Sequence, residues 1–198
     1  MPFPQARIEI TARQGGNEET PARVHGTAYS GGKMALPGWD HPVVVDLEGL
    51  SIPETVPLLT NHENRTGSRV GMVMAGVVEH TLVIEGESVS TSGQAQGIVE
   101  QARAGADWQL SIGAEVHEAE LVRGERTVNG KALQGPLYHV KESTLREVSV
   151  VAVGADGTTR MTVAASFHLT GGVQPMEFED WLEKHGIAAA GITDARRD

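Results

Sequence analysis

The chain has 198 residues, 39% of them hydrophobic and 4% aromatic, with 24 glycines. This suits one domain of ordinary size made of short strands and turns and argues against a long helical bundle. The formal net charge of -10 weighs against nucleic acid or an anionic membrane as the main partner, and the lack of cysteine excludes disulfides and thiolate chemistry.

No run approaches the roughly 20 apolar residues that cross a bilayer as a helix. Met1-Pro2-Phe3-Pro4-Gln5-Ala6-Arg7 lacks the apolar stretch of a secretory signal. The chain is compatible with a reducing cytoplasm, and no membrane and no nucleic acid are expected as partners.

Residues 7 to 12 alternate and read as a strand, followed by a polar turn around Gly15-Gly16. Residues 22 to 29 read as a second strand, and residues 43 to 47 as a short apolar one. Val56-Pro57-Leu58-Leu59-Thr60 forms a short apolar run that stops at Asn61-His62. Turn-formers follow, which places His62 at a strand end beside a loop, where it faces either a cleft or plain solvent. Two strands, 70 to 78 and 82 to 87, meet around Glu79-His80.

From residue 90 to 105 the period changes. Ala95, Ile98, Val99 and Ala102 recur at helical spacing, with Thr91 or Ser92 as N-cap and Gly105 as stop. The helix leads into Trp108-Gln109-Leu110-Ser111-Ile112-Gly113-Ala114-Glu115-Val116. Read with period two, Trp108, Leu110, Ile112, Ala114 and Val116 face a core, and Gln109, Ser111, Gly113, Glu115 and His117 face away from it. Gly113, two residues after the Ser111 hydroxyl, leaves room for another chain or a substrate to approach the backbone.

Asn129-Gly130 between two alternating runs is a hairpin signal. Residues 144 to 153 form the most β-prone run. There Val148, Val150 and Ala152 share one face, and Leu145, Glu147, Ser149, Val151 and Val153 the other. Glu147 is thus a carboxylate among apolar neighbours and in need of a partner. An ordinary ion pair with Arg146 or Lys141 would also satisfy it. Residues 161 to 167 read as a last strand. Gly171-Gly172 marks a linker, and Phe178, Trp181 and Leu182 a short amphipathic helix ahead of a polar tail.

Three distant segments each hold one chemical candidate: His62, Ser111 and Glu147. A serine hydroxyl becomes a useful nucleophile when an imidazole takes its proton and an acceptor fixes that imidazole's tautomer. Chain order is no guide, since such triads occur on unrelated folds in different orders. The expectation is His62 Nε2 within about 3 to 4 Å of Ser111 Oγ, with a carboxylate or a histidine behind the ring. The oxyanion would be met by backbone N–H groups at Ile112 and Gly113, helped by Arg69. The eight histidines form no close ligand pair, so no metal is expected. No phosphate-cradling glycine loop and no Gly-x-Ser-x-Gly elbow occurs, so no cofactor is expected either.

Four segments in order are Gly26-Thr27-Ala28-Tyr29-Ser30, then Val56 to His62, then Leu110-Ser111-Ile112-Gly113, then Leu145-Arg146-Glu147-Val148-Ser149-Val150-Val151. Together they resemble the prohead (procapsid maturation) serine proteases of tailed bacteriophages, over residues 7 to 165. The resemblance implies a mainly β fold with flanking helices (α+β), an assemblin-like β-barrel core similar to that of the herpesvirus proteases. It implies a serine endopeptidase with Ser111 as nucleophile and His62 as base. Glu147 stands where the herpesvirus relatives carry a second histidine. Ala114 departs from the pattern, which expects a larger residue beside the site.

The implied organisation is a protease domain over residues 1 to 168, then a linker, short helix and tail over 169 to 198. The implied setting is the host cytoplasm and the procapsid interior. Scaffold and major capsid proteins are the implied substrates, with self-cleavage and self-association expected. The alternative is a non-catalytic β-barrel scaffold or interaction module, since a fold does not fix a chemistry.

Overall fold

The computed structural model describes residues 22 to 88 and 92 to 165. The expected strand at residues 7 to 12, and the linker, helix and tail after residue 168, lie outside the described residues. In chain order the elements are β1 (Ala22–Tyr29), β2 (Val43–Val45), β3 (Leu50–Ser51), β4 (Val56–Thr60), a 3-10 turn (Thr66–Ser68), β5 (Arg69–Val78), β6 (Thr81–Ser88), α1 (Gly93–Arg103), β7 (Gln109–Val122), β8 (Glu125–Val128), β9 (Lys131–Gln134), β10 (Leu137–Val151) and β11 (Arg160–Ala165).

Nine strands make one sheet in the order β11-β1-β6-β5-β4-β10-β2, with β3 and β7 also paired to β10, and β8-β9 stands apart as a hairpin. The sheet is curled into a half-barrel. The expectation of flanking helices is corrected. Among the described residues one α-helix and one 3-10 turn accompany the strands.

The organising strand is β10, whose 15 residues pair on both edges. Along one edge it takes β2, β3 and β4 in succession, all parallel. Along the other it takes β7, antiparallel, from Leu137↔Val122 to Val151↔Gln109. The apolar residues of these strands meet in one cluster that includes Leu58, Leu110, Leu145, Val148 and Val150, and α1 adds Ala95, Ile98 and Val99 to it. Those three helix positions are the ones whose 3.6-residue spacing announced the helix. Ser92 caps it, accepting from the Ala95 N–H at 3.3 Å, and Gly105 at φ +93° ends it.

Three two-residue turns carry positive φ at both positions: Asn61-His62, Glu79-His80 and Asn129-Gly130. The second and third join antiparallel neighbours, as such turns do because their twist matches that of the strands. Asn129 is 7% exposed and is spent on the fold. Its Oδ1 accepts from Leu47 N–H, and its Nδ2 donates to the carbonyls of Gly31 and Val45.

Two parts of the facial pattern differ from the alternation. Val116 is 42% exposed, because β7 runs past the cluster it began on. In β10 a bulge intervenes: Leu145 pairs with Ala114 and Glu147 with Gly113, so that Arg146 is the extra residue. The bulge reverses the parity. Leu145 joins Val148 and Val150 in the core, and Glu147 shares its face with Ser149 instead.

Candidate active site

The site begins where β4 stops. Thr60 O accepts from the Glu63 N–H at 3.0 Å across Asn61 (φ 51°) and His62 (φ 57°), a tight left-handed turn. Asn tolerates this conformation readily. Histidine is also among the residues found there more often than most, as at His80 in the β5–β6 turn. Asn61 N–H bonds to Val150 O at 3.0 Å, so the turn is pinned to β10. The His62 side chain is left 44% exposed.

Glu147 reaches this turn from β10. Its Oε1 lies 2.6 Å from His62 Nδ1, and its side chain is 14% exposed. A carboxylate only accepts, so Nδ1 carries a proton, and in the neutral ring Nε2 keeps its lone pair. The hydrogen bond to Glu147 raises the His62 pKa above its ordinary 6.5, against the opposing effect of burial. The cations considered for an ordinary ion pair are engaged elsewhere. Arg146 bonds Glu115, and Lys141 bonds Glu118 and Glu120.

Gly113 explains how the carboxylate fits. A Cβ at Gly113 would lie 2.1 Å from Glu147 Oε1. The space expected to admit a substrate is therefore filled by the carboxylate of the paired strand.

The sequence reading assigned no role to Ser149, which is fully buried. Its hydroxyl donates to Glu147 Oε2 at 2.5 Å and accepts from the His62 backbone N–H at 3.0 Å. In the β7–β10 ladder Ser149 is paired directly with Ser111. Paired residues of neighbouring strands project to the same side, so Ser111, Ser149 and Glu147 share one face. Ser111 is 6% exposed. Among the described residues no hydrogen bond joins its Oγ to His62. The structure thus brings His62, Glu147 and Ser149 into direct contact and sets Ser111 one ladder rung away. The sequence signal for Ser149 was its parity with Glu147. Its contact with His62 depends on β4 joining β10 in parallel, which no local pattern encodes.

The expected oxyanion donors fare differently. Successive N–H groups along a strand point in opposite directions, so Ile112 and Gly113 do not converge on one atom and at most one of the two serves. Beyond β10, β7 has no other partner strand among the described residues, so the outward-pointing amide faces an open edge. Arg69 is exposed and opposes Leu59 on β5, with β4 and β10 between it and β7.

A cleft of about 290 Å³ opens between α1 and the ends of the strands, lined by Asn61, Ile98, Gln101, Trp108 and Val150 among others. Val150, Ile98 and Trp108 belong to the core side of the sheet, so this cleft lies behind the face that carries Ser111. Among the described residues no group of three or more His, Asp or Glu side chains is placed to hold a metal ion. Nor is any helix long and apolar enough to cross a membrane.

No protein-family model matches the chain. No curated protein matches it in sequence. Among solved structures it is similar to KSHV protease, crystallised in complex with a hexapeptide phosphonate inhibitor, at 15% identity and a TM-score of 0.41. The match covers 74% of this chain and 66% of that protease, so the chain spans just under two thirds of its length. A likeness this distant assigns neither family nor activity, and the functional reading rests on the site itself.

Proposed function

We propose that the chain is a serine endopeptidase of tailed-phage procapsid maturation, with an assemblin-like core. The observation that carries the reading is the 2.6 Å contact between His62 Nδ1 and Glu147 Oε1, one ladder rung from the Ser111 hydroxyl. Glu147 fixes the tautomer and favours the protonated ring. His62 Nε2 takes the Ser111 proton as Oγ attacks the scissile carbonyl, and returns it to the leaving amine. The gap between Ser111 and His62 closes when substrate binds, since catalytic hydrogen bonds are often long before that point. A substrate laid along the open edge of β7 would meet the outward amide, which becomes an oxyanion donor.

The phage assignment is supported by the four ordered segments quoted above. Scaffold and capsid protein are the substrates on this reading, the chain itself is another, and the procapsid interior is the place. Residues 1 to 168 form the protease domain, followed by an assembly segment. The reading is tested by co-expression with the capsid and scaffold proteins of the same phage. Fragments are expected with the native chain and none with Ser111→Ala, and equal fragment yield from both would refute it. A non-catalytic interaction module is the second reading, favoured by the missing Ser111–His62 bond. On that reading the native chain cuts nothing.

A further inference from the structure

We infer that Ser149 is the positioning residue of this site. A single buried hydroxyl holds the His62 backbone and the Glu147 carboxylate together, so that the imidazole stays seated on Oε1. The inference rests on the peptidase reading for its catalytic meaning, and on geometry alone for the hold itself.

Both ends of His62 are attached to β10 through residues two apart. The ring bonds Glu147 Oε1 at 2.6 Å, and the backbone N–H bonds Ser149 Oγ at 3.0 Å. The Ser149 proton goes to Glu147 Oε2 at 2.5 Å, which closes the circuit. Each oxygen of the carboxylate then has its own donor, and rotation about its last bond would break both. The turn that places His62 has positive φ at two non-glycine residues, a conformation that persists only when the surroundings hold it. Ser149 supplies one such hold. It is an unsuitable nucleophile, being fully buried with its proton already committed.

Burial of a serine on β10 does not by itself produce this arrangement. Ser143, on the same strand and 1% exposed, leaves its Oγ without a hydrogen-bond partner. Ser143→Ala is therefore the control. Among the described residues the charged groups around His62 are Glu147, Glu63 and Arg69. Glu147 comes from β10. Glu63, next in the chain, is turned to Ser68 Oγ at 3.1 Å and Arg65 at 3.8 Å. Arg69 on β5 is exposed.

The test reads the hold in two independent ways. His62 is titrated by NMR of its ring nitrogens in the full chain, and Ser111 is titrated with a fluorophosphonate probe. The native ring is expected to titrate above 6.5, and Ser149→Ala is expected to lower that pKa by loosening the contact with Glu147. Probe reaction should slow by about 100-fold in Ser149→Ala, the scale of a small misplacement of catalytic groups. Ser149→Thr, which keeps the hydroxyl, should restore both, and Ser143→Ala should change neither. A Ser149→Ala chain with native titration and native probe rate would overturn the inference.

If the native chain ignores the probe, the peptidase reading fails, and the titration alone decides whether Ser149 seats the ring. If Ser149→Ala does not fold, hydrogen exchange of the native His62 amide decides. Slow exchange supports the bond to Ser149, and exchange at the rate of a free turn overturns it.

Discussion

The two ends of β10 each bring a histidine against a carboxylate, and they do different things. At one end His139 is buried, with its side chain 7% exposed, Nε2 3.1 Å from Asp46 Oδ2 and Nδ1 3.7 Å from Glu120 Oε1. At the other end Glu147 holds His62, which is 44% exposed. His139 faces acids on both sides, in a region where Lys141 and Arg126 also pair with Glu120. Its ring ties the loop after β2 to β10 through Asp46. Among the described residues His62 pairs with one acid through Nδ1, with no hydrogen bond at Nε2 and hydroxyls on the same face. A histidine–carboxylate contact alone therefore does not mark a base. Exposure of the second ring nitrogen and a hydroxyl on the same face are what separate the two.

The comparison breaks most sharply at His62 and Ser111. Replacing either by alanine should cost on the order of 10⁶ in turnover of a cleaved substrate, the loss typical of a triad's base or nucleophile. Glu147→Gln should cost less, on the order of 10⁴, because the amide can still orient the ring but cannot stabilise its charge. Gly113→Ala sharpens the point. Its Cβ would lie 2.1 Å from Glu147 Oε1 and 2.8 Å from Cδ, so the carboxylate must move away from His62. Turnover should fall about 100-fold. The melting temperature should also fall, by the equivalent of about 1–3 kcal/mol, because moving the carboxylate leaves the buried Ser149 hydroxyl without its acceptor.

The pH profile follows from the raised His62 pKa. The base works when neutral, so kcat/KM should rise with pH through a limb above 6.5. The stability linkage runs the other way. The stabilisation from the Glu147–His62 pair is complete below 6.5 and is lost as pH climbs through the raised value. It is small, because nearly half of the ring faces solvent. Turnover should therefore gain with pH while the melting temperature declines slightly over the same window. The smallest effect on turnover belongs to His139→Asn, which should leave kcat/KM unchanged. It should lower stability by about 1–3 kcal/mol, as expected for a disturbed buried hydrogen bond, and a denaturant melt would measure it.

Much of this is legible in the amino-acid sequence. Period two over residues 108 to 116 separates Leu110, in the core, from Ser111 on the opposite face, where Ser111 is nonetheless only 6% exposed, and Asn129-Gly130 marks its hairpin. Ser92, Ala95, Ile98, Val99 and Gly105 bounded α1 and gave its buried face. The abrupt stop of the 56 to 60 run put His62 in a turn at a strand end. What was not legible depends on strand pairing. The bulge at Arg146 moved Leu145 to the core, a shift that counting by two does not reveal. The space at Gly113 was visible, but its occupant came from another strand. Ser149 was placed on the correct face without a partner, because β4 reaches it from 87 residues away.

The central claim is that one serine among the several in this molecule is activated by His62. Fluorophosphonate labelling followed by peptide mapping tests it most directly. The account predicts a single adduct on Ser111 that disappears in the His62→Ala chain. An adduct that persists without His62, or that falls on Ser149 or another serine instead, would contradict it.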